Sequence, residues 1–402
     1  MNLQKNTHTN KYILYFVFMV LWSCMASFSV YSNDRIGALF YTIFIVWTFL
    51  TFVTNIAIFD NSNIKYCMYV LCSYLFFYGS SSIFNGRVPS NATFLVLFYM
   101  LCYIYLRDEY KLRIFSLFVK IVGIIVAFGI LEYMLFVLMG ISINLGTVLR
   151  FQDNIYSRTF THGLFNLFTD GDAFVRFQCL TEEPGFMGTI CGFLIYILPV
   201  KGSNKWWGII FWIGGLLTFS LAFYVLAFLK FVSKIKSLKF AVVGLLFLSV
   251  FYCFFKGFID ELILNRLFNS ETHGDNRSSY IMTAAFISSY HNGSLWLGNG
   301  YLSHLDLNLE KGVAGAIVWI YQYGIIGCIL MFWAYSKYYF SKCKLYHIEK
   351  KESLLFFIAF LLSFYQRQYV DSPYNVVIFF SFPMVVACIS TGTRLKHIEY
   401  NK

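Results

Sequence analysis

An arginine, two glutamates and a Pro-Gly pair are concentrated in one short stretch of the chain, residues 176–188. Arg176 begins the stretch, and Glu182-Glu183-Pro184-Gly185 stand at the start of an apolar run. The planar guanidinium of an arginine suits phosphate oxygens. A carboxylate near an attacking hydroxyl can serve as a general base. The combination predicts a reaction site that binds phosphate and accepts a proton.

The two glutamates also have a simpler interpretation. Acidic residues favour the positive end of a helix dipole, and proline is tolerated at the first helical position, so Glu182, Glu183 and Pro184 could simply begin a helix. Two adjacent carboxylates with Arg176 close by, at the edge of a membrane-length apolar run, favour a functional role. Helix capping remains the alternative.

The composition indicates that a membrane protein positions these residues. Hydrophobic residues make up 58% of the 402 residues and charged residues only 13%, against about 25% charged in soluble proteins. The net charge of +11 does not indicate a nucleic-acid partner, because most basic residues fall on one side of the predicted spans. That asymmetry is typical of the cytoplasmic side of a membrane protein.

A helix that crosses the hydrocarbon core needs roughly 20 apolar residues. On this basis we predict an all-α, polytopic membrane protein with about twelve transmembrane helices, forming a single integral membrane domain over residues 1–402. The N and C termini are predicted to be cytoplasmic. The predicted spans are 12–30, 36–57, 66–84, 92–106, 114–140, 186–200, 240–256, 313–336, 353–370 and 375–390, together with the run 206–229.

The run 206–229 contains no charge and is followed by four lysines, Lys230, Lys234, Lys236 and Lys239. A single crossing would place those lysines outside and invert every later loop. Two short tilted spans or a re-entrant hairpin, turning near residues 218–220, would keep them inside, and we prefer the hairpin. Two large loops, residues 141–185 and 257–312, then lie on the same outer side.

Once the two loops share a side, the chain resembles the Wzy-type O-antigen polymerases, bacterial enzymes that polymerise oligosaccharide repeat units. It is more distantly similar to O-antigen ligases. The resemblance covers the general layout of the whole chain. Locally it depends on three patches: Arg176 with Glu183-Pro184-Gly185, Leu297-Gly298-Asn299-Gly300-Tyr301, and Gly324-Ile325-Ile326-Gly327.

This resemblance implies a metal-independent, inverting glycosyl transfer at the periplasmic face of the bacterial inner membrane, without a cofactor. The growing glycan would pass from undecaprenyl diphosphate to a lipid-linked repeat unit. A separate chain-length regulator in the same membrane is the implied protein partner, beside the lipid bilayer itself. The chain has no Walker A loop or Rossmann glycine fingerprint, which agrees with an energy source already present on the lipid.

The polymerase resemblance also implies a functional arginine in the second loop, where Arg277 stands. An exposed arginine at that place would otherwise be ordinary. Arg150, Arg158 and Arg266 are further loop cations that could instead contact solvent or lipid headgroups. His304 could be a base or a phosphate contact, although the His-Asn pair of the ligases is replaced here by Gly312-Val313. Asp170-Gly171-Asp172 suggests a turn more than a metal site.

Two ionisable residues, Glu132 and Arg367, fall inside predicted spans, where such groups usually face a cavity or a partner. We expect them either to pair with each other or to line the access route of the lipid diphosphate. The predicted site is therefore divided into two sets. Catalytic roles are predicted for Arg176, Glu182, Glu183 and Arg277, and substrate-binding roles for Arg158, Arg266, His304, Glu132 and Arg367.

Three other classes of membrane protein fit the size and hydropathy. An O-antigen ligase would be expected to carry the His-Asn pair. A flippase that exports lipid-linked oligosaccharide would be expected to have two matching six-span halves and short loops. A membrane acyltransferase would place a histidine within or beside a span. The two long loops on one face favour the polymerase.

Overall fold

The structure is a computed structural model. It describes residues 10–18, 20–21, 42–43, 45–46, 48, 58–86, 91–141, 146–152, 156–162, 167–169, 176–179, 181, 184–199, 205–234, 256, 280–307, 315–366 and 372–390. Most of these residues are helical, as the all-α prediction requires. The exception is a small sheet in the first large loop.

Helices occupy the described parts of the predicted spans, and one further helix lies in the second predicted loop. Residues 10–18, 20 and 21 are helical, and the helices with defined bounds come after them. These are α1 (Ile64–Asn85), α2 (Asn91–Tyr105), α3 (Asp108–Met139), α4 (Pro184–Ile197), α5 (Lys205–Leu217), α6 (Leu221–Lys234), α7 (Tyr280–His291), α8 (Ala316–Leu345), α9 (Lys350–Gln366) and α10 (Pro373–Ser390). The predicted span 240–256 lies outside the described residues except for its last one.

Three helices of the described part are long and apolar enough to cross a membrane, namely α3, α8 and α10. Helix α3 has 32 residues. At about 1.5 Å per residue it is roughly 48 Å long, more than the roughly 30 Å of a hydrocarbon core. It ends at Gly140, whose φ of 66° is the left-handed conformation that often closes helices. Helices of this kind agree with the prediction of a membrane protein.

The first large loop contains a three-stranded antiparallel sheet that the sequence analysis does not predict. Its strands are β1 (Gly146–Gln152), β2 (Tyr156–His162) and β3 (Leu167–Thr169), in the order β1-β2-β3. In the register of β1 with β2, Arg150 is the Cα partner of Arg158. Two of the predicted loop cations therefore lie on neighbouring strands.

Helix α4 lies at the centre of the core, with every residue from Gly185 to Ile197 buried. A helix that is apolar on all sides is suited to such a position. Glycines allow its neighbours to approach closely. A Cβ at Gly192 would lie 2.5 Å from Leu226 Cδ1 on α6, so any other residue there would displace the Leu226 side chain. Small residues at helix crossings are typical of packing in membranes.

A buried ionic cluster joins two segments that are distant in sequence, the start of α3 and the end of α8. Asp108, at the start of α3, accepts hydrogen bonds from Lys342 Nζ at 2.7 Å and from Tyr346 Oη at 2.6 Å. Its other carboxylate oxygen lies 3.2 Å from Lys111 Nζ, and Lys111 also donates to Tyr338 Oη at 2.9 Å. One carboxylate thus neutralises part of the charge of two buried ammonium groups.

This cluster distinguishes the two ends of the helix bundle. Helix α3 begins at the cluster and α8 ends beside it, while Tyr66, near the start of α1, hydrogen-bonds Ser341 on α8. We call this the ionic end, defined by Asp108, Lys111 and Lys342. The opposite end, where α1 and α3 finish and α8 starts, is called the motif end.

Candidate functional site

The α5–α6 turn, residues 218–220, falls where the sequence predicts a change of direction. Helices α5 and α6 have 13 and 14 residues. At about 1.5 Å per residue each is roughly 20 Å long, short of a full hydrocarbon core. Both pack on α4. Phe219 has a φ of +45°, a left-handed conformation that lets the chain reverse within three residues.

Arg176 caps the end of α5 at this turn. Its Nε donates to the carbonyl oxygen of Thr218 at 3.0 Å, and its Nη2 donates to that of Phe219 at 2.9 Å. The next residue, Phe177, donates its backbone N–H to Leu217 O at 3.1 Å. A cation at a helix C-terminus meets the negative end of the dipole and satisfies carbonyls that lack helical partners. Arg176 therefore has a structural role beside any chemical one.

The segment after Arg176 is packed against the last third of α3. Phe177 is fully buried, and its ring meets that of Tyr133 edge-on at 5.8 Å. A Cβ at Gly129 would lie 3.0 Å from Cys179 Sγ. Arg176 is close enough to the Tyr133 hydroxyl for an electrostatic interaction. Glu132, the residue before Tyr133, is buried with 6% of its surface exposed. Arg176 and Glu132, two of the predicted site residues, therefore lie in the same region of the fold.

The other end of the predicted stretch meets the same turn. A Cβ at Gly188 on α4 would lie 2.5 Å from Ser220 Cβ and 2.9 Å from Thr218 Oγ1. Nearby on α4, the ring of Phe186 contacts that of Tyr374 at 4.8 Å, which brings in the start of α10. Arg176 and Gly188, at the two ends of the predicted stretch, therefore both contact the α5–α6 turn.

The two glycine-rich patches of the sequence are in direct contact. Helix α8 is interrupted at Gly324, with φ 82° and ψ 160°. Asn299 N donates to Tyr321 O at 2.8 Å, and Gly300 N donates to Gln322 O at 2.9 Å. The loop thereby supplies donors to carbonyls that the interruption leaves without helical partners, as buried backbone requires.

Only glycine fits at the centre of this contact. A Cβ at Gly298 would lie 2.3 Å from Gln322 O, and a Cβ at Gly324 would lie 2.5 Å from Trp296 O. Both glycines also have positive φ, at 86° and 82°. The two backbones therefore touch at a distance that any side chain would prevent. We call this contact, residues 296–300 with 321–324, the helix break.

Side chains from α1, from α7 and from the loop itself hold the helix break in place. Asn85, the last residue of α1, donates to Gly298 O at 3.1 Å. Asn299 Nδ2 donates to Ser289 Oγ on α7 at 3.0 Å and to Tyr321 O on α8 at 3.2 Å. Gly327 lets α8 pack on Phe77 of α1, where a Cβ would lie 2.9 Å from the ring.

His304 and Gln322 form a further contact at the helix break. His304 lies in the 3-10 turn Ser303–Asp306 and is half-buried, and its Nδ1 is within hydrogen-bond distance of Gln322 Nε2. Gln322 is 4% exposed although it stands inside an apolar helix. Sequence reasoning missed Gln322. A polar residue in a predicted span, two positions before a glycine, could have indicated it.

Five of the predicted site residues lie outside the described part of the chain: Glu182, Glu183, Arg266, Arg277 and Arg367. For Arg158 the structure gives only the backbone position on β2. The proposed pairing of Glu132 with Arg367 is therefore not tested. Among the described residues, no three His, Cys, Asp or Glu side chains cluster as metal ligands would. The structure thus brings together Arg176 with the α5–α6 turn, and His304 with the helix break.

Comparison with known proteins leaves the family open. No family model matches the chain, and no curated protein matches it.

Proposed function

We propose that the protein is a Wzy-type O-antigen polymerase of the bacterial inner membrane. The observation that supports this most is the helix break. Two sequence patches that suggested the family, residues 297–301 and 324–327, are in contact there at Gly298 and Gly324, although more than 20 residues separate them. The third patch, beginning at Arg176, is held at the α5–α6 turn and against the motif-end part of α3.

The proposed reaction joins two lipid-linked glycans. A hydroxyl oxygen of the new repeat unit attacks the anomeric carbon of the growing chain, and the bond from that carbon to undecaprenyl diphosphate breaks. The carrier leaves with the electron pair, the configuration inverts, and the proton of the hydroxyl passes to a base. In this scheme Arg176 and Arg277 stabilise the diphosphate, and Glu182 or Glu183 is the base.

The anchored position of Arg176 suits such a role. The contacts with Thr218 and Phe219 fix the plane of the guanidinium, so a phosphate would meet an arginine that is already oriented. A guanidinium has five N–H donors, and a single side chain can therefore hold the turn and contact a phosphate oxygen. Arg158, Arg266 and His304 would contribute further contacts to the glycan or diphosphate. Glu132 and Arg367 would line the access route from the bilayer.

The proposal includes a topology with about twelve crossings and both termini in the cytoplasm. Loops 141–185 and 257–312 would then face the periplasm, and the ionic end would face the cytoplasm. The expected partners are the bilayer, undecaprenyl-diphosphate-linked oligosaccharide and a chain-length regulator in the same membrane. A cysteine placed singly at Asn292 or at Lys344, both exposed, in a chain whose other cysteines are replaced, tests the sidedness. Only the first should react with a thiol reagent that does not cross the membrane.

Deletion of the gene in the source organism tests the activity. Loss of the lipopolysaccharide ladder, with one repeat unit left on the core, is the result expected of a polymerase. An unsubstituted core with polymer accumulated on the lipid carrier would instead indicate an O-antigen ligase. Untranslocated precursor with no surface repeat would indicate a flippase. Within a polymerase, Glu183→Ala and Arg277→Ala should each abolish the ladder at unchanged protein level.

A further inference from the structure

Gln322 holds the loop that precedes α8 at two separate points. Its backbone oxygen accepts a hydrogen bond from Gly300 N at 2.9 Å. Its side-chain Nε2 faces Nδ1 of His304, four residues further along the same loop. The residue is the second before Gly324, so the helix break determines where both groups point. Gln322 therefore connects α8 to the preceding loop through both its backbone and its side chain.

Burial makes the contact between the amide and the imidazole specific. Gln322 is 4% exposed, and a buried amide without a hydrogen-bond partner is unfavourable. The ring of His304 is half-buried, in a short turn that follows Leu302 with its positive φ of 56°. One edge of the ring thus faces the buried amide, and the ring is not wholly enclosed.

We propose that Gln322 is a positioning residue that donates its amide N–H to Nδ1 of His304, so that the neutral ring presents an Nε2–H to an oxygen of the lipid-linked glycan. The identity of the substrate, a lipid-linked glycan, rests on the proposed function. The contact between Gln322 and His304 is independent of that function.

The chemistry follows from the two ring nitrogens. A neutral imidazole carries one proton, and an Nδ1 that accepts a hydrogen bond cannot carry it. The proton is then on Nε2, which makes that atom a donor toward a sugar hydroxyl or a phosphate oxygen. In this form Nε2 cannot accept the proton of the attacking hydroxyl. His304 is thereby assigned to substrate binding, and the role of base stays with Glu182 or Glu183.

Nitrogen NMR of the detergent-solubilised protein, labelled with ¹⁵N only in histidine, tests the tautomer without any substrate. His304→Gln identifies the signals of His304 among the seven histidines of the chain. The wild-type protein should show a protonated Nε2 and an unprotonated Nδ1. In Gln322→Glu the carboxylate can only accept, so Nδ1 should become protonated, either by transfer of the proton from Nε2 or by formation of the imidazolium. A wild-type ring protonated on Nδ1 would overturn the proposal.

The second arm measures polymer formation by the full-length protein in its own membrane. Gln322→Met keeps the size of the side chain and removes the donor, and it should lower the polymer formed per amount of protein about tenfold, the usual effect of one lost hydrogen bond of moderate strength.

Asn63→Leu is the matched control, since it removes a buried amide that donates to Leu106 O at 3.3 Å at the ionic end. This variant should leave the polymer per protein unchanged. Wild-type polymer formation by Gln322→Met, at equal protein level, would exclude the positioning role. If deletion of the whole gene leaves the ladder intact, the proposed function fails, and the NMR result still decides the arrangement of Gln322 and His304.

Discussion

Arg176 has an observed contact with the α5–α6 turn and a proposed contact with a diphosphate, and substitutions can separate the two. Arg176→Ala removes both charged hydrogen bonds to the turn, at a cost on the order of 2 kcal/mol of stability. We expect a lower protein level and, beyond that, loss of polymer per amount of protein. Quantitative immunoblotting beside the lipopolysaccharide ladder measures the two effects.

Lys230 provides a matched control for Arg176. It is also a cation that donates to a carbonyl near a helix C-terminus, that of Tyr196 on α4. Lys230→Ala should reduce the protein level to a similar extent and leave the polymer per protein unchanged. If both variants behave alike in both measurements, Arg176 is a cap and nothing more.

The helix break depends on two glycines, and this can be tested at Gly324. Alanine at a φ of 82° is strained by roughly 1–2 kcal/mol, and its Cβ would lie 2.5 Å from Trp296 O. We expect Gly324→Ala to displace the loop from α8, to lower the melting temperature in detergent and to abolish the ladder. Limited proteolysis should also show cleavage in the displaced loop.

Gly79→Ala is the corresponding control, because a Cβ at this position of α1 meets nothing within 4 Å. Alanine inside a helix is more favourable than glycine by roughly 0.5–1 kcal/mol. This variant should be as stable as the wild type or slightly more stable, with a normal ladder. A normal ladder in Gly324→Ala as well would exclude a role for the helix break in the site.

At the ionic end of the bundle, the carboxylate of Asp108 lies between the ammonium groups of Lys111 and Lys342. Because one negative charge faces two positive charges, substitutions at Asp108 and at Lys342 should lower the stability of the protein by different amounts. Asp108→Asn leaves both lysines without their counter-charge, which should cost about 3–5 kcal/mol. Lys342→Met leaves a balanced Lys111–Asp108 pair and should cost less. Thermal unfolding in detergent, followed by size-exclusion chromatography, measures both. The reverse order would contradict the role given to Asp108.

Tyr346 strengthens this ionic cluster over a wide range of pH. Burial, and then its hydrogen bond to Asp108, raise the pKa of Tyr346 well above its usual value. The hydroxyl therefore stays protonated and keeps donating to the carboxylate at moderately alkaline pH. Asp108 Oδ2 thus accepts two hydrogen bonds, one from Tyr346 Oη and one from Lys342 Nζ, and needs no further donor.

The helices were predictable because apolar runs of sufficient length have few alternatives in a membrane protein. Even the turn at residues 218–220 could be placed, since a single crossing by the run 206–229 would put the four lysines that follow it on the outer side. The contact of Arg176 with that turn could not be predicted, because it joins residues 42 positions apart and hydropathy does not say which helix end a loop residue reaches.

The strands and the role of Gln322 show two further limits. Residues 146–162 are rich in β-branched and aromatic residues, a signal for strands that a search for spans overlooks. Gln322 is a single polar residue in an apolar run. Its contact with His304 depends on the interruption of α8 at Gly324, which only the three-dimensional structure reveals. The sequence patches at 297–301 and 324–327 were visible, whereas their mutual contact was not.

The ionic cluster also has a consequence for biosynthesis. Lys342 follows Asp108 by 234 residues. At roughly 5–20 residues per second, a ribosome needs about 10–50 s to add the partner after Asp108 has emerged. During that interval Asp108 can pair with Lys111 but not with Lys342, so the ionic cluster of the nascent chain is incomplete. A chain that stops before Lys342 would never complete it, and we expect quality-control proteases to remove such a product.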